Sequence, residues 1–154
     1  MTAMIKRTTL KVRDMDKSVA FYEGVIGMSK YYDNEITLTG NLLPGGGKGD
    51  VTRLVIMKGE DPVIGMIGLL EWLNPKPKAP KIPYDFDFGN PVFVAAVDDA
   101  EEAYAKAQAL NCVIRAPLSE GEYPGADGGI VKVRSVGVFD PDGHFFELNQ
   151  RLEG

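Results

Sequence analysis

A chain of 154 residues is long enough for one domain with a core of its own. Its 44% hydrophobic and 25% charged residues exclude disorder of the whole chain. The formal charge of −5 argues against general nucleic-acid binding, because phosphates demand a basic face.

The start, Met4 to Val12, alternates as a strand, with Arg7, Thr9 and Lys11 on one side and Thr8, Leu10 and Val12 on the other. Asp14 offers a helix N-cap, and MDKSVAFYEGVIG places Val19, Tyr22 and Ile26 on one helical stripe. Three strands are predicted next, over Lys30 to Leu38, Val51 to Met57 and Val63 to Trp72. The loop NLLPGGGKGD joins the first two and lacks the spacing of a phosphate loop. Residues 73–90 hold four of the ten prolines and read as an extended connector. Lys76, Lys78 and Lys81 in it read as a solvated spacer.

The second half repeats the first. Pro91 to Val97 is a strand, and Asp99 caps a helix over AEEAYAKAQAL. Cys112 to Ala116 is a strand, followed by the loop SEGEYPGADGG, in which Tyr123 is a candidate cap over a ligand. Ile130 to Phe139 and Phe145 to Gln150 form a hairpin turned by DPDGH. At an offset of 85 residues Val12 meets Val97 and Asp14 meets Asp99, so each half is strand, helix and three strands.

The expected fold is α+β: a single domain, 1–154, of two βαβββ modules, 1–72 and 91–151, joined by residues 73–90. Together they would form a cupped, mostly antiparallel eight-stranded sheet with helices outside and a ligand site in the hollow. Cys112, the only cysteine, excludes an intrachain disulfide and a multi-cysteine zinc site, and reads as a small buried hydrophobe. No apolar run reaches the ~20 residues of a membrane span, and the first residues lack a signal-peptide core. A cytoplasmic location and no membrane partner are expected.

VRDMDKSVAFYEGVIGM, VDDAEEAYAKAQALN and VFDPDGHFFELNQ, in that order on paired modules, resemble the vicinal oxygen chelate superfamily of glyoxalases, bleomycin-resistance proteins and extradiol dioxygenases. The resemblance spans nearly the whole chain. It implies a homodimer and a divalent metal held by the first and last strands of each module. Carried over, the ligand positions fall on Arg7, Glu71, Val92 and Glu147. A guanidinium donates no lone pair and valine has no donor, so no metal cofactor is expected; Glu71 and Glu147 would be its ligands if one were held. The only histidine, His144, cannot supply a two-histidine iron site.

The expected site then has Glu71 or Glu147 as a general base beside a carbonyl, with Arg7 stabilising the developing oxyanion. A structural ion pair of Arg7 with these carboxylates is the alternative role. Substrate contacts are expected from Thr9, Lys11, Leu69, Val92, Val94, Phe145, Asn149 and Tyr123. Trp72, Tyr84, Phe86 and Phe88 are further aromatic candidates at the rim. The activity implied is a metal-independent lyase or isomerase acting on a small molecule. A non-catalytic binding or resistance protein is the alternative, and a metal-dependent glyoxalase the third reading.

Overall fold

The computed structural model describes residues 1–153. Its elements run β1 (Arg7–Lys11), α1 (Met15–Gly24), β2 (Ser29–Thr37), β3 (Val51–Lys58), β4 (Met66–Asn74), β5 (Val92–Ala96), α2 (Ala100–Ala109), β6 (Ile114–Pro124), β7 (Ile130–Phe139) and β8 (Phe145–Leu152). The βαβββ pattern therefore occurs twice. The eight strands divide into two four-stranded sheets, ordered β1-β4-β3-β2 and β5-β8-β7-β6. In each, the outer pair (β1/β4 and β5/β8) is parallel and the other pairings are antiparallel.

Two compact units result: residues 1–22 with 27–81, and residues 23–26 with the chain from Ile82 onward. The boundary between Lys81 and Ile82 falls inside the proline-rich segment read as a connector. Among the described residues no helix is long and apolar enough to cross a membrane.

In the first unit, Asp14 begins α1 as its spacing predicts, its Oδ1 accepting the Lys17 amide at 3.2 Å. Leu10, Val55, Met57 and Leu69 are buried on one face of the sheet, and Thr52, Ile56, Leu70 and Trp72 on the other. Strand β4 starts at Met66, later than expected. The Asp61 carboxylate accepts the Val63 and Ile64 amides at 2.8 and 2.9 Å, which ties those residues into a turn.

In the second unit, Asp99 has extended backbone and accepts the Glu102 amide at 3.0 Å, the cap expected for α2. Val136, Val138, Phe146 and Leu148 form the buried face of the sheet. The β7–β8 turn closes through the Asp140 amide on the His144 carbonyl at 2.8 Å, with Gly143 at φ 87°. Buried Asp140 also accepts the Asp142 and His144 amides, and its Oδ2 lies 2.9 Å from His144 Nδ1. His144 is thus part of the turn.

The largest departure from the sequence reading is β6. It runs on to Pro124 and pairs Tyr123 with Val131, where a loop with Tyr123 as a candidate cap was expected. Only Gly125–Gly129 remain as a turn, closed by the Gly125 amide on the Gly129 carbonyl at 2.7 Å. Tyr123 is therefore a paired strand residue and not a lid.

Candidate functional site

Register decides which side chains share a face. Paired residues on neighbouring strands point the same way. On the first sheet Arg7, Thr9 and Lys11 pair with Met66, Gly68 and Leu70, so these six side-chain positions share one face. Glu71 and Leu69 lie on the opposite face with Leu10, Arg53 and Val55. That face turns toward α1: Arg53 reaches Asp16 at 3.8 Å, and the Glu71 carboxylate accepts the Met15 amide at 3.2 Å. Glu71 is a helix-start acceptor, favourably placed at the positive end of the helix dipole. It is not a partner for Arg7, and Leu69, fully buried on the same side, is not a ligand contact.

The second unit repeats this arrangement and identifies the true counterpart. Gln150 Oε1 accepts the Ala100 amide at 3.0 Å, just as Glu71 accepts that of Met15. Met15 and Ala100 are equivalent in the internal repeat, so Glu71 corresponds to Gln150. Three residues earlier, Gly68 corresponds to Glu147. The ladders agree: Thr9 faces Gly68 as Val94 faces Glu147. Gly68 is thus the first-module residue at the position Glu147 holds in the second. A glycine inside an apolar strand signals close approach by a neighbour, and here the signal was real. A Cβ at Gly68 would lie 2.7 Å from Thr9 Oγ1 and 3.1 Å from Arg7 Cδ.

On the second sheet Val92, Val94 and Ala96 pair with Phe145, Glu147 and Asn149 and share their face. Glu147 and Val94 are exposed, Val94 to 65%. Glu147 pairs with Gly137, and the Phe145 ring lies over that glycine, 2.9 Å from where its Cβ would stand. Asn149 Oδ1 accepts the Ser135 hydroxyl at 2.6 Å. The result is a carboxylate on an open face, flanked by valine, alanine and a phenyl edge, with an amide and a hydroxyl beyond it.

The residues do not fit the divalent metal that this fold often carries. The corrected positions are Arg7 and Gly68 in the first unit and Val92 and Glu147 in the second. Only Glu147 has a donor, and one carboxylate does not make a zinc, nickel or iron site. No group of three or more His, Cys, Asp or Glu suited to a metal occurs among the described residues.

Of the aromatic candidates, Trp72 is buried, donates Nε1–H to Asp50 at 3.0 Å and carries Lys11 Nζ over its ring at 4.1 Å. Tyr84 packs edge-on against Phe139 at 5.5 Å, while Phe86 and Phe88 are exposed. Cys112 is half-buried, and burial raises its thiol pKa. That suits the packing role expected from the sequence rather than a nucleophile.

No curated protein sequence matches the chain significantly. Solved structures do. A glyoxalase family protein from Bacillus cereus superposes with a TM-score of 0.77 at 16% identity, over 99% of this chain and 97% of that one. The trypanothione-dependent glyoxalase I of Leishmania major gives 0.60 at 19% identity, over 97% and 87%. TioX from Micromonospora sp. ML1 gives 0.56 at 16% identity, over 98% and 100%. At these identities the likeness establishes the fold. The profile of the glyoxalase/bleomycin resistance protein/dioxygenase superfamily matches residues 4–148. With the duplicated βαβββ unit and the matched helix starts, this makes the chain a member of that superfamily.

Proposed function

We propose that this protein acts on a small carbonyl compound without a resident metal, as a lyase or isomerase with Glu147 as its proton carrier. The observation that carries the reading is the donor set. Glu147 keeps its carboxylate, while the equivalent first-module position is Gly68 and the two first-strand positions hold Arg7 and Val92. The carboxylate takes a proton from the carbon beside the carbonyl and becomes a carboxylic acid, leaving an enolate. Return of the proton elsewhere gives isomerisation; departure of a group from the next carbon gives elimination. Arg7 is exposed on the first sheet, with Nε 3.3 Å from Thr9 Oγ1; whether its charge serves the reaction is tested by Arg7→Ala in the exchange assay below.

Proton exchange is the measurement. In D2O, a panel of small hydroxycarbonyl and β-hydroxy acid compounds is followed by NMR for deuterium entering beside the carbonyl. At least one compound is expected to exchange, with the rate falling by about two orders of magnitude or more in Glu147→Gln. Exchange at the parental rate in that variant overturns the assignment.

A specific observation favours a second reading. Val94, 65% exposed beside Glu147, offers apolar surface suited to holding a ligand unchanged. Saturable binding with quantitative recovery of intact ligand, and no exchange in any compound, supports that binding role over the enzyme. The expected cytoplasmic homodimer belongs to the same proposal, and light scattering on the eluted protein tests its dimeric part.

A further inference from the structure

The segment that follows β4 does more than connect. After the cis Asn74–Pro75 peptide, residues 76–80 lie beside the end of β1 and form one side of an open cleft of about 310 Å³. Lys11, Arg13, Lys76 and Lys78 line it, with Glu71 and Trp72 beside them. The Arg13 guanidinium donates to the Pro80 carbonyl and pins the far end of the segment.

Charge and shape point the same way. Four cationic side chains line this cavity in a chain whose formal charge is −5. The one carboxylate among them, Glu71, already accepts the Met15 amide. Among the described residues Lys76 and Lys78 have no ion-pair partner, and Lys11 lies over the Trp72 ring. Beside them the Gly47 amide and the Trp72 indole hold the Asp50 carboxyl below its usual range, and the charge of Lys11 adds a smaller effect. The remaining wall is apolar: Trp72, Val12, Pro77, Ala79 and Pro80. A volume near the lower end of ligand pockets, roughly 300–1,000 Å³, suits a compact molecule.

We infer that this cleft is a binding site for a small organic anion, a phosphate monoester or carboxylate whose apolar body rests against Val12, Pro77 and Pro80 beside the edge of Trp72, while Lys11, Lys76 and Lys78 hold its charge. The site lies within the first unit and does not depend on the Glu147 proposal.

Trp72 is the only tryptophan of the chain and lines this cleft, so its fluorescence responds to binding there. The full-length protein is titrated with phenyl phosphate, and separately with inorganic phosphate, at fixed ionic strength; calorimetry accompanies each titration. Saturable quenching or shift is expected with phenyl phosphate, at least tenfold tighter than with inorganic phosphate. A Lys76→Gln/Lys78→Gln double variant should bind at least tenfold more weakly while keeping its circular dichroism. Both lysines are exposed, so the fold does not rest on them. No saturable response to phenyl phosphate, equal affinity for the two probes, or undiminished binding by the double variant overturns the inference.

Discussion

Gly68 faces Thr9 across the β1–β4 ladder with no room for a side chain between them. Any Cβ there would meet Thr9 Oγ1 at 2.7 Å and Thr9 Cβ at 3.3 Å, so the Thr9 side chain must rotate or the two strands move slightly apart. Gly68→Ala is therefore expected to cost about 1–3 kcal/mol by overpacking. Thr9→Ala in the same chain removes the closer contact and should recover part of that loss. Urea unfolding of the single and double variants checks both; an undisturbed Gly68→Ala protein would contradict the close packing.

Glu71 holds the start of α1. Glu71→Ala should cost about 0.5–2 kcal/mol, the range for losing a helix-start acceptor, while Glu71→Gln keeps an oxygen there and should cost less. Neither change should alter any proton exchange that the protein catalyses, since Glu71 lies on the opposite face from Arg7. Thermal unfolding paired with the exchange assay separates this role from catalysis.

These two residues show where the sequence was legible and where it was not. Asp14 and Asp99 mark their helices through local capping chemistry, and the repeat offset fixed the module order. Arg7, Thr9 and Lys11 alternate with Thr8, Leu10 and Val12, and Glu147 stands between Phe146 and Leu148, so which residues share a side of those strands could be read directly. MIGLLEW offers no such alternation: both faces of β4 are buried, and the visible carboxylate drew the assignment one face away from Gly68. Strand β6 was hidden for a different reason. SEGEYPGADGG has the composition of a loop, and only its pairing with β7 makes its first half a strand.

The Arg53 guanidinium grips Asp33 through Nε and Nη2 at 2.9 and 2.8 Å, and Lys30 adds a contact at 3.1 Å. The Arg53 hydrogen bonds are the main reason the Asp33 pKa falls from 3.8 to about 2. A carboxylate with a depressed folded pKa stabilises the fold above its unfolded pKa, and that stabilisation fades as pH falls through the folded value. Asp33→Asn should cost about 1 kcal/mol at neutral pH after allowing for solvent screening. The difference between parent and variant should narrow from pH about 4 downward and nearly vanish below about 2. Chemical denaturation across that window tests the sign as well as the size.

Cys112 should resist thiol reagents in the folded protein. Burial is the leading cause of its raised pKa, with the charge of Asp140 adding to it, so little thiolate is present near neutrality. Alkylation by iodoacetamide at pH 7.5 is expected to be at least tenfold slower than in the urea-unfolded chain. Equal rates would show an accessible, ordinary thiol.

Strand β6 is an outer strand eleven residues long, the kind of border on which a second chain can build. Its sequence obstructs that growth. Pro117 and Pro124 lack amide donors, and the ladder slips between Ile114 and Ala116 and again between Ala116 and Ser119. Glu120 and Glu122 spend their charges on Arg134 and Lys132 of the adjacent strand. Replacing both prolines with valine would give the border a continuous row of donors, making fibril growth the hazard that the present sequence holds off.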